Sequence, residues 1–220
     1  IRIDPEVETE RIVSLLRSAV RAKLRRRGVV VGISGGVDSA VVLALCIRAF
    51  GAEHVLALML PDQDSSSESE RLARELAAAF GVEPVLEEMT GALAGFGCYG
   101  RRDEAIRRVI PEYDPARGDR AKITLPSDLL SGEVLNVFSV TVVRADGTKV
   151  SRALAAPEFL QIVAASNFKQ RARMAMLYYH AESRHYAVAG TANKNERMQG
   201  FFVKHGDAGV DVDPLVHLYK

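Results

Sequence analysis

The chain has 220 residues, 48% of them hydrophobic and 26% charged, which allows one domain with room for an insertion or a small second lobe and excludes wholesale disorder. No apolar run approaches the ~18 residues of a membrane-spanning helix, so no membrane association is expected. Lys and Arg number 29 against 28 Asp and Glu, a net charge of +1 that exerts no pull toward nucleic acid. The two cysteines, Cys46 and Cys98, can build neither a disulfide framework nor a four-cysteine zinc site, and no signal peptide is visible, so a reducing cytoplasm is the expected location. The chain opens on Ile1 and stops at Lys220, and both ends read as cut from a longer protein.

Asp4-Pro5 opens a helix, with an acid at the cap and proline at the first helical position. Val7, Ile12, Leu15, Leu16, Ala19, Val20 and Leu24 keep helical spacing and mark one apolar face. Glu6, Glu8 and Glu10 suit the positive end of that helix, and Arg25, Arg26 and Arg27 suit its negative end, with a phosphate patch as the alternative for the arginines. Val29–Ile33 reads as a buried strand, Asp38–Phe50 as a helix stopped by Gly51, and His54–Leu60 as a second strand closed by Pro61. Ser66–Phe80 is a helix with Gly81 as its stop, and Val85–Glu87 a short third strand. Strands alternating with helices predict an α/β fold: a doubly wound parallel sheet with helices on both faces.

From Gly91 the rhythm breaks. Gly95, Gly97, Gly100, Pro111, Pro115, Gly118 and Pro126 punctuate a stretch without steady period. Val134–Val143 and Lys149–Leu154, joined through Ala145-Asp146-Gly147-Thr148, read as a β-hairpin with an Asp-Gly turn. The domain expectation is therefore a single α/β domain over 1–220 with an irregular insertion at 91–165 that carries the hairpin. Pro157 starts a long helix to about Glu182, Tyr186–Ala189 is another core strand, and the remainder is rich in loop residues. His180 and His185, at the end of the long helix, read as surface or terminating residues. Cys46, at an apolar helix position, reads as core.

Ser34-Gly35-Gly36-Val37-Asp38-Ser39 lies between a buried strand and a helix start. Glycines let the backbone approach an oxyanion and turn tightly, and the free amides and dipole of the helix start favour phosphate. Ser34 and Ser39 add hydroxyls. Asp38 would repel a bare phosphate, so its place makes sense if magnesium bridges it to the phosphates. The alternative is a tight strand-helix turn in which Asp38 and Ser39 act as caps. No Gly-Lys-Ser/Thr follows, so this is not a Walker A loop, and the glycine spacing is not that of a Rossmann fingerprint.

The string resembles the PP-loop of the N-type ATP pyrophosphatases, whose members cut ATP between the α and β phosphates and adenylate an oxygen of the second substrate. Three later blocks resemble one family among them, NAD synthetase. These are Asn167-Phe168-Lys169-Gln170-Arg171-Ala172-Arg173-Met174, then Gly190-Thr191-Ala192-Asn193-Lys194-Asn195-Glu196, then Gly200 to Asp211. Asp213-Pro214-Leu215 and Leu218-Tyr219-Lys220 continue the likeness. The resemblance implies an adenine nucleotide alpha hydrolase-like fold and an ammonia-dependent ligase that joins deamido-NAD, ammonia and ATP into NAD, AMP and pyrophosphate. It implies that Ser34, Gly35, Gly36, Val37, Asp38 and Ser39 hold the ATP phosphates, with Asp38 and Glu196 on magnesium. Thr191 would lie by the adenosine or α-phosphate, Arg171 by the reacting centre, and Lys204 on the phosphates and developing charge. Asn167, Lys169, Arg171, Asp207 and Asp211 would serve the second substrate. Taken singly, Lys204 and Arg171 also read as surface charges, and Asp207 and Asp211 as loop caps.

The resemblance further implies a homodimer. No space exists for a glutaminase domain, so ammonia is expected free or from a separate glutaminase subunit. The stretch from Gly91 to about Ala165 is longer than the link the resemblance implies, its hairpin and the Arg-rich Arg101–Lys122 have no counterpart in the motif pattern, and Val203 and Ala208 replace a threonine and a glycine, which leaves another carboxylate open as the second substrate. A tRNA-thiolating enzyme of the same superfamily is the alternative of another class, disfavoured by the neutral charge and the lack of paired cysteines.

Overall fold

The computed structural model describes residues 3–124 and 138–220. The chain divides into two compact units, one of residues up to Gly91 together with Gln170–Lys220, the other within Ala92–Lys169.

The first unit is built on a four-stranded parallel sheet, β1 (Val29–Gly32), β2 (Val55–Met59), β3 (Val85–Leu86) and β7 (Ala187–Ala189), in the order β3-β2-β1-β7. Val29, Val30 and Val31 are fully buried, as expected of a central parallel strand covered on both faces. Val29 and Val31 pack with α1 (Pro5–Arg17), α2 (Val37–Phe50) and α3 (Ser67–Ala79), whereas Val30, Leu58 and Val188 pack against Met174, Leu177 and Ala181 of α6 (Ala156–Arg184). The alternation of strand side chains thus sorts the helices onto the two faces. This bears out the parallel α/β reading.

Asp4 caps α1 through its carboxylate, which accepts from the Glu6 and Val7 amides at 3.0 and 3.3 Å. The apolar face differs from the sequence expectation. Ile12, Val13, Leu16 and Val20 are buried, while Val7, Leu15 and Leu24 are exposed. At about 100° per residue Val7 falls nearly opposite the buried arc. A π-helical turn over Ser18–Lys23 then shifts the register before Leu24. Cys46 is fully buried in this core, and burial pushes its thiol up to about 12. His180 is also buried rather than on the surface. Its Nε2 meets Glu87 at 2.8 Å and its Nδ1 meets an Arg184 guanidinium nitrogen at 3.2 Å, tying α6 to the segment after β3.

The second unit corrects the reading of an irregular stretch. It contains α5 (Cys98–Val109), and α4 (Thr90–Gly95) leads into it. Its sheet has three strands, not a lone hairpin: β4 (Arg120–Thr124), β5 (Ser139–Val143) and β6 (Lys149–Ala153), antiparallel in that order. The Asp-Gly turn forms as expected between β5 and β6. Asp146 accepts from the Thr148 amide at 2.8 Å, and Gly147 sits at φ 85°, where glycine pays no steric cost. Ala105 and Ile106 of α5, Val140 and Val142 of β5 and Ile162 of α6 form a separate core. The α5 sequence is dominated by arginines and acids, so its narrow apolar stripe did not register as a period. Pro126 and the expected hairpin start at 134–137 lie outside the described residues.

Candidate active site

In an open parallel sheet, ligands bind beyond the carboxyl ends of the strands where the strand order reverses. Here that point is the crevice between β1 and β7, because β2 and β3 lie to the other side of β1. A cavity of about 630 Å³ occupies it, wholly within the first unit. Gly32–Ser34, Leu58–Pro61 and Ala189–Thr191 supply the strand ends, α3 contributes Ser69, Glu70 and Ala73, and α6 contributes Gln170, Arg173, Met174 and Leu177. Asp207 and Val210 complete the lining.

The turn from β1 to α2 stands at the mouth of this cavity through Ser34. Gly35 has φ 77°, and a Cβ there would lie 2.6 Å from the Ser69 carbonyl oxygen, so only glycine fits beside α3. Gly36 caps α2, and no side chain satisfies the first amides of the helix. Val37 is exposed. Ser39 is buried, and its Oγ donates to the Gly36 carbonyl at 2.9 Å while meeting the Ser34 amide at 3.4 Å. Its hydroxyl therefore stitches the loop, Ser34 Oγ accepts from the Gly36 amide at 3.4 Å, and the first amides of α2 have no side-chain cap, an arrangement suited to an anion.

Asp38, in the first turn of α2, pairs with Lys220 Nζ at 2.8 Å. The Asp38 carboxylate, and after it the charge of Glu196, raise the Lys220 ammonium above its ordinary range. Two carboxylates thus act on one cation. Glu196, in α7 (Lys194–Gln199), also closes a capping box: its Oε2 accepts from the Asn193 amide at 3.0 Å and Asn193 accepts from the Glu196 amide at 3.1 Å. Among the described residues no group of three or more His, Cys, Asp or Glu could hold a metal. A pair of hard oxygen donors suits magnesium, which takes one or two carboxylates and fills its shell with water and phosphate oxygens.

The remaining sequence-assigned residues separate into groups. Thr191 and Asp207 line the cavity with Ser34. Asp207 also accepts from the Val203 amide at 2.7 Å. Arg171 Nε donates to the Lys204 carbonyl at 3.0 Å, which ties the 203–213 segment to α6, and the Lys204 side chain is exposed. Asp211 is engaged on both oxygens. One accepts from the Val188 amide at 2.8 Å, on the edge of β7 that also bridges to Val212, and the other from the Tyr178 hydroxyl at 3.1 Å. Burial, and then the Asp211 charge, push Tyr178 up to about 12. Asn167 and Lys169 belong to the second unit, where Lys169 Nζ lies 5.0 Å from the centre of the Tyr99 ring. The sequence reading missed Lys220 and the pairing of Arg173 with Asp62 at 3.1 Å. Both Lys220 and Arg173 stand inside motif blocks, but neither block discloses a partner so distant in sequence.

The NAD synthase family model matches residues 8–106 and 134–220. The chain belongs to that family. The match takes in much of the stretch that the motif pattern left without a counterpart, and residues 107–133 lie between its two segments. The chain is 49% identical over 221 residues to the NH(3)-dependent NAD(+) synthetase of Mesorhizobium japonicum, covering 100% of this chain and 68% of that protein. It is 37% identical over 211 residues to the enzyme of the same name from Thermotoga maritima, covering 96% and 68%. Among solved structures, the NH3-dependent NAD synthetase of Campylobacter jejuni aligns with a TM-score of 0.66 at 26% identity, covering 100% of this chain and 70% of that one. The NMN synthetase of Francisella tularensis shares the fold, with a TM-score of 0.67 at 22% identity, covering 100% and 67%. The chain spans about two thirds of the length of the curated relatives, 65–68% for the Mesorhizobium and Rhizobium proteins.

Proposed function

We propose that this chain carries the ATP-handling core of an ammonia-dependent ligase that converts deamido-NAD to NAD, with ATP cleaved to AMP and pyrophosphate. One observation carries the reading: the cavity beyond β1 and β7 shares Ser34 with a loop whose helix amides are uncapped, and that loop leads directly to Asp38, paired at 2.8 Å with Lys220. A purine nucleoside fits the half-apolar cavity, and the triphosphate fits the loop. The relatives' names, NH(3)-dependent NAD(+) synthetase, support ammonia-dependent NAD synthesis and disfavour tRNA thiolation.

In this reading the carboxylate of the second substrate attacks the α-phosphorus of ATP and pyrophosphate leaves. Ammonia then attacks the acyl-adenylate carbonyl and AMP leaves with the bonding pair. The chain's own part is to hold charge as it shifts. The Val37, Asp38 and Ser39 amides receive phosphate oxygens, and Ser34 Oγ and Thr191 orient the nucleotide. Asp38 and Glu196 would hold magnesium, which supplies neutralisation of the pyrophosphate charge. Arg171, fixed by the Lys204 carbonyl, keeps the Lys204 segment close to α6, and the Lys204 ammonium meets the phosphates. Asp207 serves the second substrate, while Asp211, engaged on both oxygens, holds the frame. A homodimer, a cytoplasmic location and free ammonia belong to the same proposal, as does the treatment of 91–165 as an insertion in one ATP pyrophosphatase domain. Among the described residues no helix is long and apolar enough to cross a membrane.

The test is pyrophosphate release from ATP with ammonium and magnesium against a panel of carboxylates that includes deamido-NAD and nicotinate mononucleotide. Deamido-NAD is expected to give the highest kcat/KM. Preference for another carboxylate would reassign the second substrate, and release with none would overturn the ligase reading.

A further inference from the structure

The wall of the cavity formed by the turn between β2 and α3 is held from α6 by the Arg173 guanidinium. Arg173 Nε donates to the Leu60 carbonyl at 3.0 Å, and its Nη2 donates to Asp62 Oδ2 at 3.1 Å. The Asp62 side chain is 1% exposed and that of Arg173 24%. Asp62 in turn organises the turn: its Oδ1 accepts from the Asp64 amide at 2.8 Å and its carbonyl from the Ser65 amide at 2.8 Å, while its own amide donates to Ser65 Oγ at 3.0 Å. Leu60, Asp64, Ser65 and Arg173 all line the cavity. Directly after the turn, Ser66 caps α3 by accepting from the Ser69 amide at 3.1 Å.

The planar guanidinium spans a carbonyl and a carboxylate at once, which a lysine ammonium on its flexible stem does not reproduce. A buried carboxylate also enforces the pairing, because removing its partner leaves a charge in a desolvated place. We infer that Arg173 is a positioning residue for the nucleotide: through Leu60 and Asp62 it holds the β2–α3 turn in the form that closes one wall of the ATP cavity. The inference rests on the reading of that cavity as the ATP site.

The experiment compares wild type with R173K, R173M and D62N. Calorimetric titration with ATP and magnesium, without the second substrate, reads nucleotide affinity; steady-state assays read the KM for ATP and for deamido-NAD separately. R173M is expected to weaken ATP by at least ~10-fold, and R173K, which keeps the charge beside Asp62, by about 5-fold. D62N is expected to match R173K. The R173K/D62N double variant should be no worse than the weaker single, since both act on one turn. The KM for deamido-NAD should move less than about threefold, a selectivity that general loss of structure would not produce. ATP affinity within twofold of wild type in folded R173K and D62N, or equal rises in both KM values, would overturn the inference. If the wild type binds ATP but amidates no carboxylate, the ligase reading fails while the titrations still decide the role of Arg173. A wild type that binds no ATP overturns both.

Discussion

Two segments of the first unit carry most of the motif residues, and they spend their polar groups in opposite ways. The turn from β1 to α2 consumes little: Ser39 and Ser34 Oγ tie it internally, while the first amides of α2 have no side-chain cap and Asp38 meets only the Lys220 ammonium among the described residues. The 203–213 segment consumes nearly everything. Asp207 holds the Val203 amide, Asp211 holds the edge of β7 and Tyr178, and the Lys204 carbonyl takes Arg171. A motif string therefore mixes residues whose polar groups stay available with residues that build the frame around them, and residue type alone does not separate them.

The largest effect that tests this contrast is on Asp38. D38N should suppress pyrophosphate release by at least ~100-fold, the scale of removing a main stabiliser of developing charge, with the fold intact. Near-normal turnover at saturating magnesium would erase the distinction between the segments. E196Q sharpens it, because glutamine keeps the acceptor of the capping box while removing the charge. Turnover should fall on the same ~100-fold scale with stability changed by no more than about 0.5 kcal/mol; a loss of stability without loss of rate would make Glu196 a frame residue.

D211A comes next. It leaves the Val188 amide and the Tyr178 hydroxyl without their acceptor, so denaturant unfolding should report a loss of about 2 kcal/mol. A collapse of rate with unchanged stability would move Asp211 to the ligand-meeting class. The smallest effect concerns Glu8, whose carboxyl is held down to about 2 from an ordinary 4.5 by hydrogen bonds from Arg11 and then His217. Because the folded value is the lower one, its contribution is present above pH 4.5 and is lost as pH falls from there toward 2. The Arg11 side chain is about half exposed, which screens the pair, so E8Q should remove no more than about 1 kcal/mol at pH 6 and little of that at pH 2. Acid unfolding of the two proteins should converge at the low end, and a gap that persists there would disprove the assignment.

The two units teach a related lesson about legibility. In the first, β1 is a run of buried valines, β2 and β7 are apolar and largely buried, and the parallel α/β reading follows from local signals such as Asp4, Gly51 and Ser66. In the second, α5 carries four arginines with Asp103 and Glu104, and its apolar stripe shrinks to a few positions such as Ala105 and Ile106. Its neighbours β4 and β6 show only partial burial, so neither element stands out before the sheet is assembled. The site was legible to the extent that a motif is contiguous. The Ser34–Ser39 loop could be read directly, whereas Lys220 and the Arg173–Asp62 pair could not, since their partners lie 182 and 111 residues away.

By itself the sequence determined the parallel core, the phosphate-type turn and the family, because each depends on short-range chemistry: β-branched burial, glycine backbone freedom and the spacing of charged residues within a block. Only the tertiary structure decided which of those charged residues are consumed by backbone amides and which stay free. That outcome depends on which strand edge or helix end each side chain reaches, as Asp211 reaches the Val188 amide 23 residues away. Such encounters are made by packing between elements distant in the chain, and no local pattern encodes them.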